Sequence, residues 1–259
     1  METDLVREIE ELASNAWRPE IEQHLGGWRL RYTGGHSRRV NSVFPSSPPA
    51  ALPLETCLDL VEDFYRRRGM PPRFQLCPAA LPANLHAILE TRGYTFSAHT
   101  AMKTQTIARL LEKIRDHPGR IESENTLTDA WFNTYTTASG YDPESLPIRR
   151  GILSRIGPKA QFVLVNHDGK PAATGLGVAE RGWLGVFCVV TDPAHRRKGL
   201  ASAVMRALAF WGRSQNAERV YLQVMENNPA GLSLYDMLGF KKLYQYYYAE
   251  NVRDADETD

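Results

Sequence analysis

Val186-Phe187-Cys188-Val189-Val190-Thr191-Asp192-Pro193-Ala194-His195-Arg196-Arg197-Lys198-Gly199-Leu200-Ala201 is the stretch from which the fold can be read. An apolar run ends in a short basic loop, and Leu200, Val204, Leu208 and Trp211 then recur at helical spacing. Strand, loop and helix in that order can hold a phosphate. The first N–H groups of a helix lack partners within it and sit at the positive end of its dipole. Gly199 lets the backbone approach an anion closely, and Arg196, Arg197 and Lys198 raise the local positive potential.

Composition limits what surrounds this loop. A chain of 259 residues has room for two domains, and 42% hydrophobic with 24% charged residues is ordinary for compact proteins. A net charge of +1 supplies no global field for a nucleic acid or an anionic membrane, so neither partner is expected. The basic clusters near Arg38, Arg66 and Arg149 are read as solvated faces. Cys57, Cys77 and Cys188 are odd in number and lack CxxC spacing, which argues against a zinc site or a disulfide framework and fits a reducing compartment. The start is acidic without an apolar leader, and no stretch carries eighteen consecutive apolar residues. A cytoplasmic protein without a metal is expected.

Outward from the loop, Gln161 to Val165, Ala172 to Ala179 and Trp183 to Val190 read as three antiparallel strands joined by tight turns. Val220 to Val224 is a further strand, Ala230 to Leu238 a helix stopped at Gly239, and Leu243 to Tyr248 a final strand, with a frayed acidic tail after Glu250. Upstream, helices are expected at Pro147 to Ile156 and after Thr126, whose pairing with Asp129 resembles a capping box. In the first half, helices are expected at Leu5 to Ala16, Leu54 to Arg68 and Ala83 to Arg92. Strands are expected at Trp28 to Tyr32, Arg39 to Phe44, Arg73 to Leu76 and Tyr94 to Lys103. Residues 104–123, with Pro118-Gly119, read as a linker that can hold a helix, between domains at 1–103 and 124–259.

The halves repeat. Arg73-Phe74-Gln75-Leu76 matches Arg219-Val220-Tyr221-Leu222, and Gly93-Tyr94 matches Gly239-Phe240, both 146 residues later. The same shift lays Gly26 to Phe44 on Ala172 to Val190, so the duplication reads as gapless. Where the second copy has Arg196 to Ala201, the first has Ala50 to Glu55, without glycine or basic charge. It also has Pro82 in place of Asn228 and Leu89 in place of Tyr235. The anion site is expected in the second copy alone.

Two motifs then carry a resemblance: Arg196, Gly199 and Ala201 after the strand, and Asn228, Ala230 and Tyr235 before Gly239-Phe240. They resemble the signatures of the GCN5-related N-acetyltransferase (GNAT) superfamily. The resemblance implies an α/β fold (α+β in some schemes) of two GNAT-like units, each a mixed, mostly antiparallel sheet flanked by helices, the first degenerate. It implies an enzyme moving an acetyl group from acetyl-CoA to a primary amine, with a small molecule expected as acceptor and a monomer or homodimer as the assembly. By the same resemblance the N–H groups of Arg197, Lys198, Gly199, Leu200 and Ala201 bind the CoA pyrophosphate beside Arg196. Val189, Val190 and Thr191 pair with the pantetheine arm, Asn228 and Ala230 belong to the cofactor site, and Tyr235 protonates the leaving thiolate. A base must take the proton of an amine whose pKa is about 10.4. Glu226 is the first candidate and Glu180 the second. The alternatives are a non-catalytic acetyl-CoA-binding regulator and a protein lysine or N-terminal acetyltransferase.

Overall fold

The computed structural model describes residues 2–115 and 120–252. The chain falls into two compact units, and the division differs from the sequence boundaries. One unit holds residues up to Glu11, Trp17–Ala101 and the chain from Tyr244 onward; the other holds Leu12–Ala16 and Met102–Leu243. The C-terminal strand thus completes the first unit, which a cut at residue 103 or 124 does not foresee.

The first unit contains most of α1 (Glu2–Ala16), then β1 (Ile21–Leu25), β2 (Trp28–Tyr32), β3 (Val43–Phe44), α2 (Leu54–Arg66), β4 (Arg73–Leu76), α3 (Leu85–Thr91) and the start of β5 (Thr95–Thr106). Its strands run in the order β1-β2-β3-β4, followed by β11 (Lys241–Glu250), which pairs antiparallel with β4 from Tyr247↔Leu76 to Glu250↔Arg73. The stripe Leu58, Val61 and Tyr65 of α2 meets Trp28, Leu30 and Phe74 of the sheet in one core, with Trp28 and Phe74 edge to face at 5.4 Å. A closed polar network also lies inside. Buried Arg31 donates to Ser42 Oγ and Gln75 Oε1, Gln75 donates to Glu10 at 2.7 Å, and the Tyr244 hydroxyl donates to the other Glu10 oxygen at 2.7 Å.

The second unit contains α4 (Ile107–Lys113), β6 (Arg120–Glu124), α5 (Asp129–Ser139), α6 (Leu146–Ser154), β7 (Lys159–His167), β8 (Lys170–Glu180), β9 (Trp183–Thr191), α7 (Leu200–Ser214), β10 (Arg219–Met225) and α8 (Pro229–Met237). The strands run β10-β9-β8-β7-β6; β6 to β9 are antiparallel and β10 is parallel to β9. Helix α7 buries Leu200, Val204 and Leu208 against the sheet. Two glycines admit it: a Cβ on Gly175 would stand 2.2 Å from Val204 Cγ1, and one on Gly177 2.9 Å from Leu208 Cδ2.

Four expectations need correction, and two strands went unread. The segment read as a linker holds α4 and β6, both in the second unit, while Pro118-Gly119 lies outside the described residues, as does the tail beyond 252. The strands β1 and β6 went unread because Ile-Glu-Gln-His-Leu and Arg-Ile-Glu-Ser-Glu lie at the sheet edges and are largely exposed, so little apolar alternation marks them. The strand expected at Arg39 to Phe44 is a single helical turn at Arg38–Val40 followed by the two-residue β3. The cap of α5 is Thr128, whose hydroxyl accepts the Trp131 N–H at 3.2 Å, and not Thr126.

The repeat, finally, is gapless only in part. Helices α2 and α7 begin 146 residues apart, as do β5 and β11, and Gly93 and Gly239 share a φ of 86°. The hairpins differ. Shifting the pair Gly177↔Val186 back by 146 gives Arg31 and Val40, whereas β2 pairs Leu30 with Val43. The cause is the longer connection in the first unit, closed by the Asn41 side chain on Thr33 and Gly35, where the second unit turns at Arg181-Gly182.

Candidate active site

Strands β9 and β10 part. Their parallel pairing runs from Trp183↔Arg219 to Val186↔Leu222 and stops, although both strands continue. On the other side of β9 the register against β8 shifts between Thr174 and Leu176, which leaves Cys188 at a bulge with φ 52°. Two side chains hold the bulge. The Thr174 hydroxyl donates to the Cys188 carbonyl at 3.2 Å, and the buried indole N–H of Trp131 is shared between Val163 O at 3.0 Å and Gly175 O at 3.1 Å. A gap therefore opens at the carboxyl ends of two parallel strands, where crevices of open α/β sheets bind ligands. Backbone groups of Val189, Val190 and Thr191 border it, all three half-buried.

The basic loop follows directly. Asp192 accepts the Ala194 N–H at 2.8 Å and closes the turn Pro193–His195, Arg197 adopts φ 65°, and Gly199 at φ 79° starts α7. No side chain caps α7, a helix of 15 residues, so its first N–H groups stay open beside exposed Arg196, Arg197 and Lys198. The donor set fits a phosphate. A cavity of about 220 Å³ adjoins Gly199 and is lined by Lys113, Arg115, Ser202, Met237 and Leu238. Helix α8, in contrast, is capped: Asn228 Oδ1 accepts the Gly231 N–H at 2.9 Å, which gives Asn228 a structural role. Ala230 is exposed in the first turn of α8.

Tyr235 of α8 is 9% exposed and packs edge on to Phe240 at 5.8 Å. Burial and then the nearby Cys188 thiol push its phenol up to about 12. The structure thus brings Tyr235 to the bulge. It does not bring Glu226 or Glu180 there as free bases. Glu226 is exposed just beyond β10 and binds Lys242 at 3.0 Å. Glu180 ends β8 opposite Trp183, at the far end of β9 from the loop, and accepts the Asn15 amide at 3.0 Å.

Sequence reasoning missed the other side of the gap. The Tyr135 hydroxyl on α5 shares hydrogen bonds with the Cys188 side chain and, at 3.2 Å, with the Tyr141 hydroxyl. Burial first, then Cys188 and Tyr141, hold Tyr135 well above the ordinary phenol range. Arg149, half-buried, stacks on the Tyr141 ring with Cζ 3.3 Å from its centroid. No spacing motif links residues 135, 141, 149 and 188; only their packing does. His195, half-buried, lies edge on to His167 at 5.6 Å.

A family profile described as "Probable histone acetyltransferase Rv0428c C-terminal" matches residues 3–249. The "Uncharacterized N-acetyltransferase YobR" of Bacillus subtilis is 29% identical over 250 residues, covering 95% of this chain and 98% of that protein. Among solved structures, a GCN5-related N-acetyltransferase from Kribbella flavida superposes with TM-score 0.69 at 16% identity over 95% of each chain. A tandem GNAT protein from the clavulanic acid biosynthesis pathway superposes with TM-score 0.62 at 12% identity, over 79% of this chain and 70% of that one. The parted strands, the open helix start and the matched length converge on one assignment: the chain belongs to the Rv0428c-type acetyltransferase family and is an acyltransferase of GNAT fold.

Proposed function

We propose that the protein transfers an acetyl group from acetyl-CoA to the primary amine of a small molecule, by direct attack in the second unit. The observation that supports this reading is the gap between β9 and β10, which opens onto an uncapped helix start on one side and onto Tyr235 on the other. The pyrophosphate would take the open N–H groups from Arg197 to Ala201, with Arg196 and Lys198 adding charge. The pantetheine arm would pair with the backbone of Val189, Val190 and Thr191, which β10 leaves free. Asn228 holds α8, and with it Tyr235, in place.

The chemistry follows from charge development. Attack of a neutral amine on the thioester builds an oxyanion, which the unpaired N–H groups of β9 can stabilise, and expels a thiolate. Tyr235 keeps its proton through neutral and alkaline pH and can deliver it to that thiolate, whose thiol pKa is roughly 8.5. The amine proton would leave along the hydroxyls of Tyr135 and half-buried Tyr141 to solvent water, each hydroxyl accepting one proton as it passes on its own. Purified protein mixed with acetyl-CoA and a panel of small amines should release free CoA thiol. Tight acetyl-CoA binding without thiol release for any amine or peptide would favour a regulator instead.

A further inference from the structure

Arg149 is linked to the bulge through Tyr141 and Tyr135 and has an unusual set of neighbours. Its Nε donates to Ser145 Oγ at 3.0 Å, and Ser145 is itself fully buried, with its N–H on Asp142 Oδ1 at 2.8 Å and its hydroxyl on Asp142 O at 2.9 Å. The guanidinium lies on the Tyr141 ring at 3.3 Å. Stem and plane are both fixed. Among the described residues no carboxylate comes within ion-pair distance of it, whereas its neighbour Arg150 binds Asp129 at 2.9 Å. The two terminal nitrogens of Arg149 therefore form a pre-positioned fork without an internal anion, a geometry that suits a carboxylate held by two parallel hydrogen bonds.

This fork is joined to the reacting region by direct contacts. The ring under Arg149 belongs to Tyr141, whose hydroxyl meets Tyr135, whose hydroxyl in turn meets Cys188 at the bulge. A molecule whose amine enters the gap past Tyr135 would carry its other end toward Tyr141 and Arg149. We infer that Arg149 is a specificity-determining residue that binds the carboxylate of the acceptor, so that the acceptors are small amines bearing a carboxylate, of amino-acid type. The inference rests on the acetyl-transfer reading above and adds the acceptor class to it.

Matched pairs of amines test it, each an amino acid beside its decarboxylated counterpart: lysine with cadaverine, tyrosine with tyramine, β-alanine with ethylamine. Thiol release should favour the carboxylate member of at least one pair by roughly tenfold or more in kcat/KM, the scale of one charge-assisted contact. Arg149→Ala should erase that preference, raising KM for the amino acid by roughly tenfold more than it raises KM for the decarboxylated partner. Arg149→Lys should restore part of it, since charge is kept and the fork lost. Equal use of both members by the native protein, or an equal loss on both in Arg149→Ala, would overturn the carboxylate site while leaving acetyl transfer intact. Acetyl-CoA bound but no thiol released with any amine would overturn both.

Discussion

Tyr235 is close enough to Cys188 to feel its thiol, and burial first, then that neighbour, moves its phenol up to about 12. The consequence is a proton donor that stays protonated well past the pH at which a free phenol ionises. Replacing Tyr235 with Phe keeps the ring on Phe240 and removes only the acid, so turnover should fall by about 100-fold or more while the KM for acetyl-CoA changes little. The ratio of native to variant rates should stay flat from neutral pH to about pH 10, because the raised value leaves the group protonated throughout. A native rate that drops along a phenol titration near pH 10, absent in the variant, would contradict this. Stability behaves with the same sign: it is unaffected below the ordinary phenol pKa and declines as pH rises from about 10 toward 12.

Gly199 starts α7 with φ 79°, a conformation that costs an L-residue about 1–2 kcal/mol. Gly199→Val should weaken acetyl-CoA binding by at least about tenfold, since it strains the turn that presents the open N–H groups. Calorimetric titration checks it, with a thermal melt alongside to show that the fold survives. Undiminished affinity would detach the loop from the cofactor.

Glu226 makes the opposite case. It is exposed and bound to Lys242, so Glu226→Gln should leave kcat within about twofold and cost less than about 1 kcal/mol of stability. A tenfold loss of kcat across a pH profile would return it to the mechanism.

Trp131 is the clamp behind the bulge. Trp131→Phe leaves Gly175 O and Val163 O without their indole donor and a buried space beside Phe162, so stability in urea should fall by about 1–3 kcal/mol. If the clamp sets the gap, the variant should also bind acetyl-CoA less tightly at temperatures where it remains folded.

Much of this was legible in the sequence for a physical reason. Leu200, Val204 and Leu208 repeat at helical spacing, and glycines at 93 and 239 stop their helices in the same left-handed geometry, so α7, α3 and α8 announce themselves locally. The loop from Arg196 to Gly199 is likewise a local object. What could not be read depends on contacts far apart in the chain. Tyr135 meets Cys188 only because β9 bulges and α5 packs across it, and nothing near either residue encodes that meeting. The partner of Glu226 was hidden for the same reason, since Lys242 reaches it from another strand. The edge strands β1 and β6 were lost because an exposed edge selects for charge rather than for alternation.

The pairing of β11 with β4 bears on how the chain is made. Strand β4 ends at Leu76, but the residues that hydrogen-bond along its edge are Tyr247 to Glu250. Roughly 170 further residues must be synthesised first, which at about 5–20 residues per second takes on the order of 10–30 s. Until then the N-terminal part emerges from the ribosome with an open strand edge and with Glu10 lacking the hydroxyl of Tyr244. The nascent chain is therefore exposed to mispairing until Tyr247 to Glu250 have emerged, and their arrival, not the early appearance of α1 and β2, sets when the first unit can close.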